Sequence, residues 1–289
     1  MRDQLEAGMI ISLRVEREAP FGYFLSNGVE DVLLHRTEVK GEVEIDQEVD
    51  VFLYHDKQGR ITATMTMPTI QQGEYDWCKV VGVNDDLGVF VDIGIAKDVL
   101  VSADDLPIYD DIWPAEGDLL YMTLTTDRNG RLYGKLATEN IIQELVAPAP
   151  KSVMNQDLKA RVYRLLKVGT FVITEEGYRC FIHESERKEE PRLGQLVDIR
   201  VIDVKDDGSL NGSLMPRKQD KMKDDSERIF DYLLSRKGSI PYWDKSQPED
   251  IEARFEMSKG AFKRALGKLM KEGKIYQEDG WTHLKLNQE

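Results

Sequence analysis

One spacing in this sequence could do chemistry on a flat, aromatic ligand. A Gly-x-Phe unit is followed, 13 or 14 residues after its glycine, by a histidine or a serine, and it occurs three times. The sets are Gly22, Phe24 and His35; Gly88, Phe90 and Ser102; and Gly169, Phe171 and His183. A ring fixed on a strand gives a nucleobase a surface to stack on, and a histidine at its rim adds a hydrogen-bonding group. The third copy, VGTFVITEEGYRCFIHESE (168–186), is the richest, with Phe171, Tyr178, Phe181 and His183. The same residues would also serve as barrel core. Along Gly-x-Phe-Val, neighbouring side chains point to opposite faces, so Phe171 and Ile173 share one face and Thr170 and Val172 the other.

Reaction chemistry is not visible beside this pattern. The sequence has no phosphate-binding Gly-x-x-x-x-Gly-Lys-Ser/Thr loop, no dinucleotide fingerprint and no His-Glu-x-x-His. His35, His55, His183 and His283 are far apart, and Cys78 and Cys180 lie in separate strand-like runs, as buried free thiols do. The pairs Asp85-Asp86 and Asp104-Asp105 sit in turns, where acidic residues are common. No cofactor, no metal and no enzymatic activity are expected.

The elements that must position the aromatics repeat with them. Each Gly-x-Phe is preceded by a strand-like run, at Met9–Val15, Trp77–Val83 and Leu158–Leu166. Each is followed by an alternating strand, an acidic-Gly turn at Gly59, Gly130 or Gly208, and a short last strand. Five short strands in roughly 60 residues, with no helical period, point to a small closed β-barrel, which leaves no exposed edge. The glycine is read as a corner or bulge.

After residue 216 the period changes from two to about 3.6. Residues 215–225 read as a charged linker. Ser226 or Asp225 is read as the cap of a helix through Arg236, with Ile229, Phe230, Leu233 and Leu234 on one face. A short helix begins near Pro248 and buries Ile251 and Phe255. Ser258 caps a third, with Phe262, Ala265, Leu266, Leu269 and Met270 as its apolar stripe and Lys259, Lys263, Arg264, Lys268 and Lys271 on its other faces. A hairpin follows over 276–286, turning at Asp279-Gly280. Two helices, a basic helix and a hairpin make a winged helix, which meets nucleic acid through the basic helix and the wing.

The chain of 289 residues carries a net charge of −14, against broad nonspecific binding to polyanions. The charge is uneven. Residues 1–66 hold 7 basic and 13 acidic groups, and residues 67–147 hold 5 and 15. Residues 151–216 hold 11 of each, and residues 217–289 hold 16 basic and 14 acidic groups. A polyanion should prefer the back half. In the third module, Lys159, Arg161, Arg164, Lys167, Arg179 and Arg187 surround the aromatics, and Lys159 and Arg161 alternate onto one strand face that could follow a phosphate backbone.

On GYF…HRTEV and GTF…FIHESE the modules resemble S1 domains, the RNA-binding form of the five-stranded OB barrel. The resemblance implies RNA contacts at Phe24 and His35, at Phe90, and at Phe171, Phe181 and His183, with Tyr23 and Tyr178 as local additions. Module two departs from the pattern at Ser102. The whole order, three S1-like barrels and a winged helix, is similar to the conserved virulence factor B family of Gram-positive bacteria. That likeness implies a cytoplasmic RNA-binding protein that influences gene expression, with the winged helix acting beside the third S1 domain.

The expected fold is therefore multidomain and mainly β. Three S1-like OB barrels span 1–66, 67–147 and 151–216, and an α+β winged helix spans 225–287. The expected partner is single-stranded RNA, with U- or A-rich sequence left open, and the chain is expected to be monomeric and free of membranes. The RNA-binding set is Phe171, His183, Phe181, Tyr178, Lys159, Arg161, Arg179, Phe24, His35 and Phe90. Two alternatives stay open: a protein-interaction scaffold associated with the ribosome or RNA polymerase, and a DNA-binding regulator.

Overall fold

The computed structural model describes residues 4–285, with the backbone alone over 218–224. The expected winged-helix end at 286–287 lies outside the described residues. The chain divides after Leu214 into two compact units.

The first unit holds three closed five-stranded barrels. Strands β1 (Ile10–Ala19), β2 (Gly22–Ser26), β3 (Asp31–His35), β4 (Glu48–His55) and β5 (Ile61–Thr64) make the first. The second uses β6 (Asp76–Asn84), β7 (Gly88–Asp92), β8 (Val99–Ser102), β9 (Leu119–Thr126) and β10 (Leu132–Leu136). The third uses β11 (Asp157–Leu166), β12 (Gly169–Thr174), β13 (Arg179–His183), β14 (Leu196–Val204) and β15 (Leu210–Ser213). In each, the third strand pairs parallel with the fifth and every other pairing is antiparallel. Period-two alternation fills the interiors, with Leu13, Val15, Leu25 and Leu34 in the first barrel and Val162, Val172, Cys180 and Ile182 in the third.

The bulge lies in the first strand of each barrel and not at the recurring glycine. Pairing slips between Val15 and Arg17, between Val80 and Gly82, and between Val162 and Arg164. The extra residue bends the strand so that it pairs with the second strand at one end and the fourth at the other. The glycines have a different reason. A Cβ on Gly22, Gly88 or Gly169 would run into the carbonyl oxygen of Leu34, Val101 or Ile182 on the neighbouring strand.

The barrels of this unit share packing. Strand β4 is buried on both faces: Val49, Val51 and Leu53 face the first barrel's core, while Phe52 and Tyr54 join the second's. Between the second and third barrels runs a helix, α1 (Glu139–Glu144), whose Ile142 is fully buried near Trp77, Val162 and Tyr163. Leu193 of the third barrel enters the second's core, and Arg192 pairs with the buried Asp118 at 3.1 Å.

The second unit comprises α2 (Lys218–Ser235), β16 (Ser239–Ile240), α3 (Pro248–Phe255), α4 (Lys259–Lys271), β17 (Ile275–Glu278) and β18 (Trp281–Leu284), with sheet order β16-β18-β17. Helix α2 begins at Lys218, inside the stretch read as a linker. Its Lys, Gln, Asp and Met residues contain no Gly or Pro to stop a helix, so Asp225 and Ser226 lie within it and do not cap it. Ser258 caps α4, its Oγ accepting from the Ala261 N–H at 3.3 Å. Ala261, Phe262, Ala265, Leu266 and Leu269 are buried, but Met270 is 40% exposed, about 100° around the helix from the stripe centre. Leu234 is likewise exposed. Asp279 and Gly280 both have positive φ, as the two-residue hairpin requires. No helix among the described residues is long and apolar enough to cross a membrane.

Replacing Phe52 with Ala should cost about 3–5 kcal/mol, because it empties a fully buried site between two barrels. Urea denaturation of the full chain checks this. A loss under 1 kcal/mol would mean that the two barrels do not stabilise each other.

Candidate nucleic-acid interface

On the third barrel the outward residues of β12 and β13 meet in register. Phe171 faces Phe181, Gly169 faces His183 and Ile173 faces Arg179. Tyr163, the bulged residue of β11, joins them. Ring centroids are 6.2 Å apart for Tyr163–Phe171, 4.9 Å for Phe171–Phe181 and 6.4 Å for Phe181–His183. The three aromatic rings are half-buried and His183 is exposed. The Arg179 guanidinium lies over Phe171, 4.4 Å from the ring centroid.

Arg179 is held there by α1. Its Nη2 pairs with Glu139 at 2.9 Å, and its Nε donates to Glu139 at 3.0 Å and to the Tyr163 oxygen at 3.1 Å. Arg164 reaches the same carboxylate at 3.3 Å. Burial works against the Glu139 charge, but Arg179 and the hydrogen bonds from both arginines outweigh it, so its pKa lies below the usual carboxylate range. Burial pushes the Tyr163 hydroxyl up to about 12, and the hydroxyl donates to Glu139 at 3.3 Å.

The histidine position is a turn cap in all three barrels. His183 Nδ1 accepts from the Ser185 N–H at 3.2 Å, His35 Nδ1 from the Thr37 N–H at 3.3 Å, and Ser102 Oγ from the Asp104 N–H at 3.3 Å. A serine performs this task as well as a histidine. An imidazole that accepts at Nδ1 carries its proton on Nε2, which is the nitrogen left for a ligand.

The three outward faces differ at matched positions. The residue beside the recurring Phe on the third strand is Leu33, Leu100 or Phe181. The Arg179 position is Asp31 in the first barrel and Asp98, just before β8, in the second. Phe24 lies under Arg17, 3.6 Å from its ring centroid, beside Phe21. Phe90 faces a cleft toward the first barrel.

Several expected residues stand elsewhere. Tyr178 points to the opposite side from Phe181 and packs on the barrel core, as does Tyr23 in the first barrel. Lys159 and Arg161 do alternate onto one face, with Arg161 opposite Ile173 in the row beside Arg179, and both are engaged by other groups. Lys159 pairs with Asp198 at 3.0 Å, and Arg161 donates to the Gly194 carbonyl at 2.9 Å, near Trp77. Arg187 is buried against Thr170 and Glu190. Both thiols are buried, with pKa pushed up to about 11 at Cys78 and about 12 at Cys180, and no metal-ligand cluster occurs among the described residues.

In the second unit Lys263, Arg264 and Lys271 are exposed on α4 and Lys259 is half-buried. Lys268 is turned inward, donating to Ser226 Oγ at 3.1 Å. The wing carries a ring stack absent from the expected set. Tyr276 lies 5.1 Å from His283, and Trp281 lies 6.5 Å from it, both nearly parallel to the imidazole. Once Asp279-Gly280 is the turn, counting back pairs Tyr276 with His283, so this signal was in the sequence.

Comparison with known proteins agrees with this architecture. Residues 7–66 match the S1 domain model, 75–135 the CvfB first S1-like domain, 142–216 the second domain of virulence regulatory factor CvfB, and 227–284 the CvfB-like winged helix domain. A crystal structure of a multidomain protein with nucleic acid binding domains from Streptococcus pneumoniae TIGR4 is 40% identical, with a TM-score of 0.66 over 96% of this chain and 98% of that one. S1-type barrels with a C-terminal winged helix define a multidomain protein built from nucleic-acid-binding domain types rather than enzymatic ones. The Bacillus subtilis (strain 168) protein YitL is 53% identical over 98% of this chain and 95% of its own length. Conserved virulence factor B of Staphylococcus haemolyticus (strain JCSC1435) is 42% identical over 87% of this chain and 85% of its own. The chain belongs to the conserved virulence factor B family.

Glu139 gives a pH test. Its folded pKa is depressed, so its contribution is fully present above the unfolded value of about 4.3 and is lost as pH falls through the folded one. Glu139→Gln should destabilise the first unit by about 1–2 kcal/mol at pH 7 and by less at pH 3, below the unfolded value. Denaturant midpoints at the two pH values decide it, and equal losses at both would refute the charge-based account.

Proposed function

We propose that this protein binds single-stranded RNA on the third barrel and acts in regulating gene expression, without catalysis. One observation carries the reading. The third barrel alone combines two facing phenylalanines with an arginine, at the position where its sister barrels have Asp31 and Asp98. Bases would stack along Phe171 and Phe181, His183 Nε2 would donate to a base or ribose, and Arg179 and Arg164 would meet phosphate. The exposed basic residues of α4 and the rings of the wing would supply a second contact, and linked weak sites gain through effective concentration. Membership in a family described as virulence regulatory supports the regulatory half of the reading.

Fluorescence anisotropy with labelled single-stranded RNA, single-stranded DNA and duplex DNA tests it. The Phe171→Ala/His183→Ala double variant should keep its fold and lose about tenfold or more in RNA affinity, since each stacked base is worth about 1–3 kcal/mol. Affinity should fall with salt, with a slope near −0.7 per phosphate contacted. An unchanged affinity in the folded double variant would remove the site. Binding to duplex DNA alone would move the function to the winged helix.

A further inference from the structure

The connection from the third strand to the fourth is longest in the second barrel. Residues 103–118 join β8 to β9, four residues more than 36–47 in the first barrel or 184–195 in the third. The longer connection presents two apolar side chains to water. Ile108, at 96%, is the most exposed large apolar side chain among the described residues, and Tyr109 beside it is 70% exposed.

The loop that carries them is anchored on both sides. Before the pair, Leu106 is buried in the second barrel's core, and the Pro107 carbonyl accepts from the Trp113 indole N–H at 2.6 Å. After it, Ile112 is buried and its carbonyl accepts from the Leu193 N–H of the third barrel at 3.0 Å, while Trp113 enters the core. An isoleucine held out by fixed backbone has little freedom left to lose when a partner covers it. Such a side chain, filling a pocket on another surface, is the usual centre of a protein contact.

Charge selects the partner. Asp104, Asp105, Asp110 and Asp111 flank the pair, and Tyr109 borders an open cavity of about 560 Å³ lined also by Asp111, Ile112 and, from the third barrel, Glu189 and Glu190. Glu190 is taken up by Arg187 at 2.9 Å. The four aspartates and Glu189 have no ion-pair partner among the described residues. Over 103–112 and 188–190 the one cation is Lys188. No three of these carboxylates are grouped to hold a metal ion. A phosphate chain would be repelled here, and a neutral surface would leave the carboxylates without counter-charge. An arginine or lysine side chain suits the cavity, with the Tyr109 ring for its face and Asp111 and Glu189 for its charge.

We propose that this loop docks a basic protein. Ile108 enters an apolar pocket of the partner, and lysine or arginine side chains around that pocket meet Tyr109, Asp110, Asp111 and Glu189. The contact lies off the ring-and-arginine face of the third barrel and does not depend on RNA binding there.

Panning a phage-displayed library of short random peptides on the full chain tests it. The selected peptides are titrated by fluorescence anisotropy against the wild type, Ile108→Ser, Asp110→Lys/Asp111→Lys and Phe171→Ala/His183→Ala. Melting curves confirm folding, and sedimentation velocity reports self-association. The expected peptides carry net positive charge and at least one large apolar residue. Ile108→Ser and the double lysine variant should each bind them about tenfold more weakly or worse. The Phe171/His183 variant should bind them as the wild type does. A library that yields no binder, binders without positive charge, or binders indifferent to Ile108→Ser overturns the proposal. Self-association of the wild type that Ile108→Ser abolishes also overturns it, in favour of a second copy of the chain. A loss of single-stranded RNA affinity in Ile108→Ser overturns it in favour of RNA.

Discussion

The close approach of the second and third strands is the constraint on which each barrel's face depends. At Gly22, Gly88 and Gly169 the backbone passes so near the neighbouring carbonyl that no side chain fits. The contact locks the register, pairing the glycine with His35, Ser102 or His183 and placing the phenylalanine two residues on opposite Leu33, Leu100 or Phe181. A slip of one residue would turn every ring into the core. The bulge in the first strand then lets that strand reach both neighbours and, in the third barrel, pushes Tyr163 out to extend the row of rings. Geometry is thus shared by the three barrels, and the side chains placed upon it decide what each can do.

Electrostatics separates the three. Two barrels place aspartate where the third places arginine, within a first half that is strongly acidic throughout. Arg179 does not stand free. Glu139 on α1 and the Tyr163 hydroxyl fix it flat on Phe171, so the segment joining the second barrel to the third also arranges the third barrel's surface. Because Glu139 meets two arginines, the cluster keeps net positive charge after pairing. An ion pair of this kind costs desolvation and returns orientation more than stability.

Much of this could be read from the chain. The repeated Gly-x-Phe spacing, the alternation of each strand and the change of period after residue 216 carried the three barrels and the winged helix. These are local patterns, each set by a few adjacent residues. What stayed hidden depends on partners distant in sequence. Lys159 and Arg161 alternate as expected, yet their commitments to Asp198 and the Gly194 carbonyl lie more than thirty residues away. Glu139 sits in a short helix that reads as the tail of a module. Met270 and Leu234 were misplaced because a stripe of apolar residues is wider in sequence than the surface that buries it. The histidines were legible as a pattern but not as turn caps, a task that becomes plain only when Ser102 is seen doing it too.

The central claim is that the third barrel's ring-and-arginine face is where RNA lies. Photocrosslinking of the full chain to single-stranded RNA carrying 4-thiouridine, followed by mass spectrometry of the joined peptides, tests it most directly. Crosslinks concentrated within residues 163–183, at Tyr163, Phe171, Phe181 or His183, are the expected result. Crosslinks confined to residues 4–136, with none on the third barrel, would contradict the account.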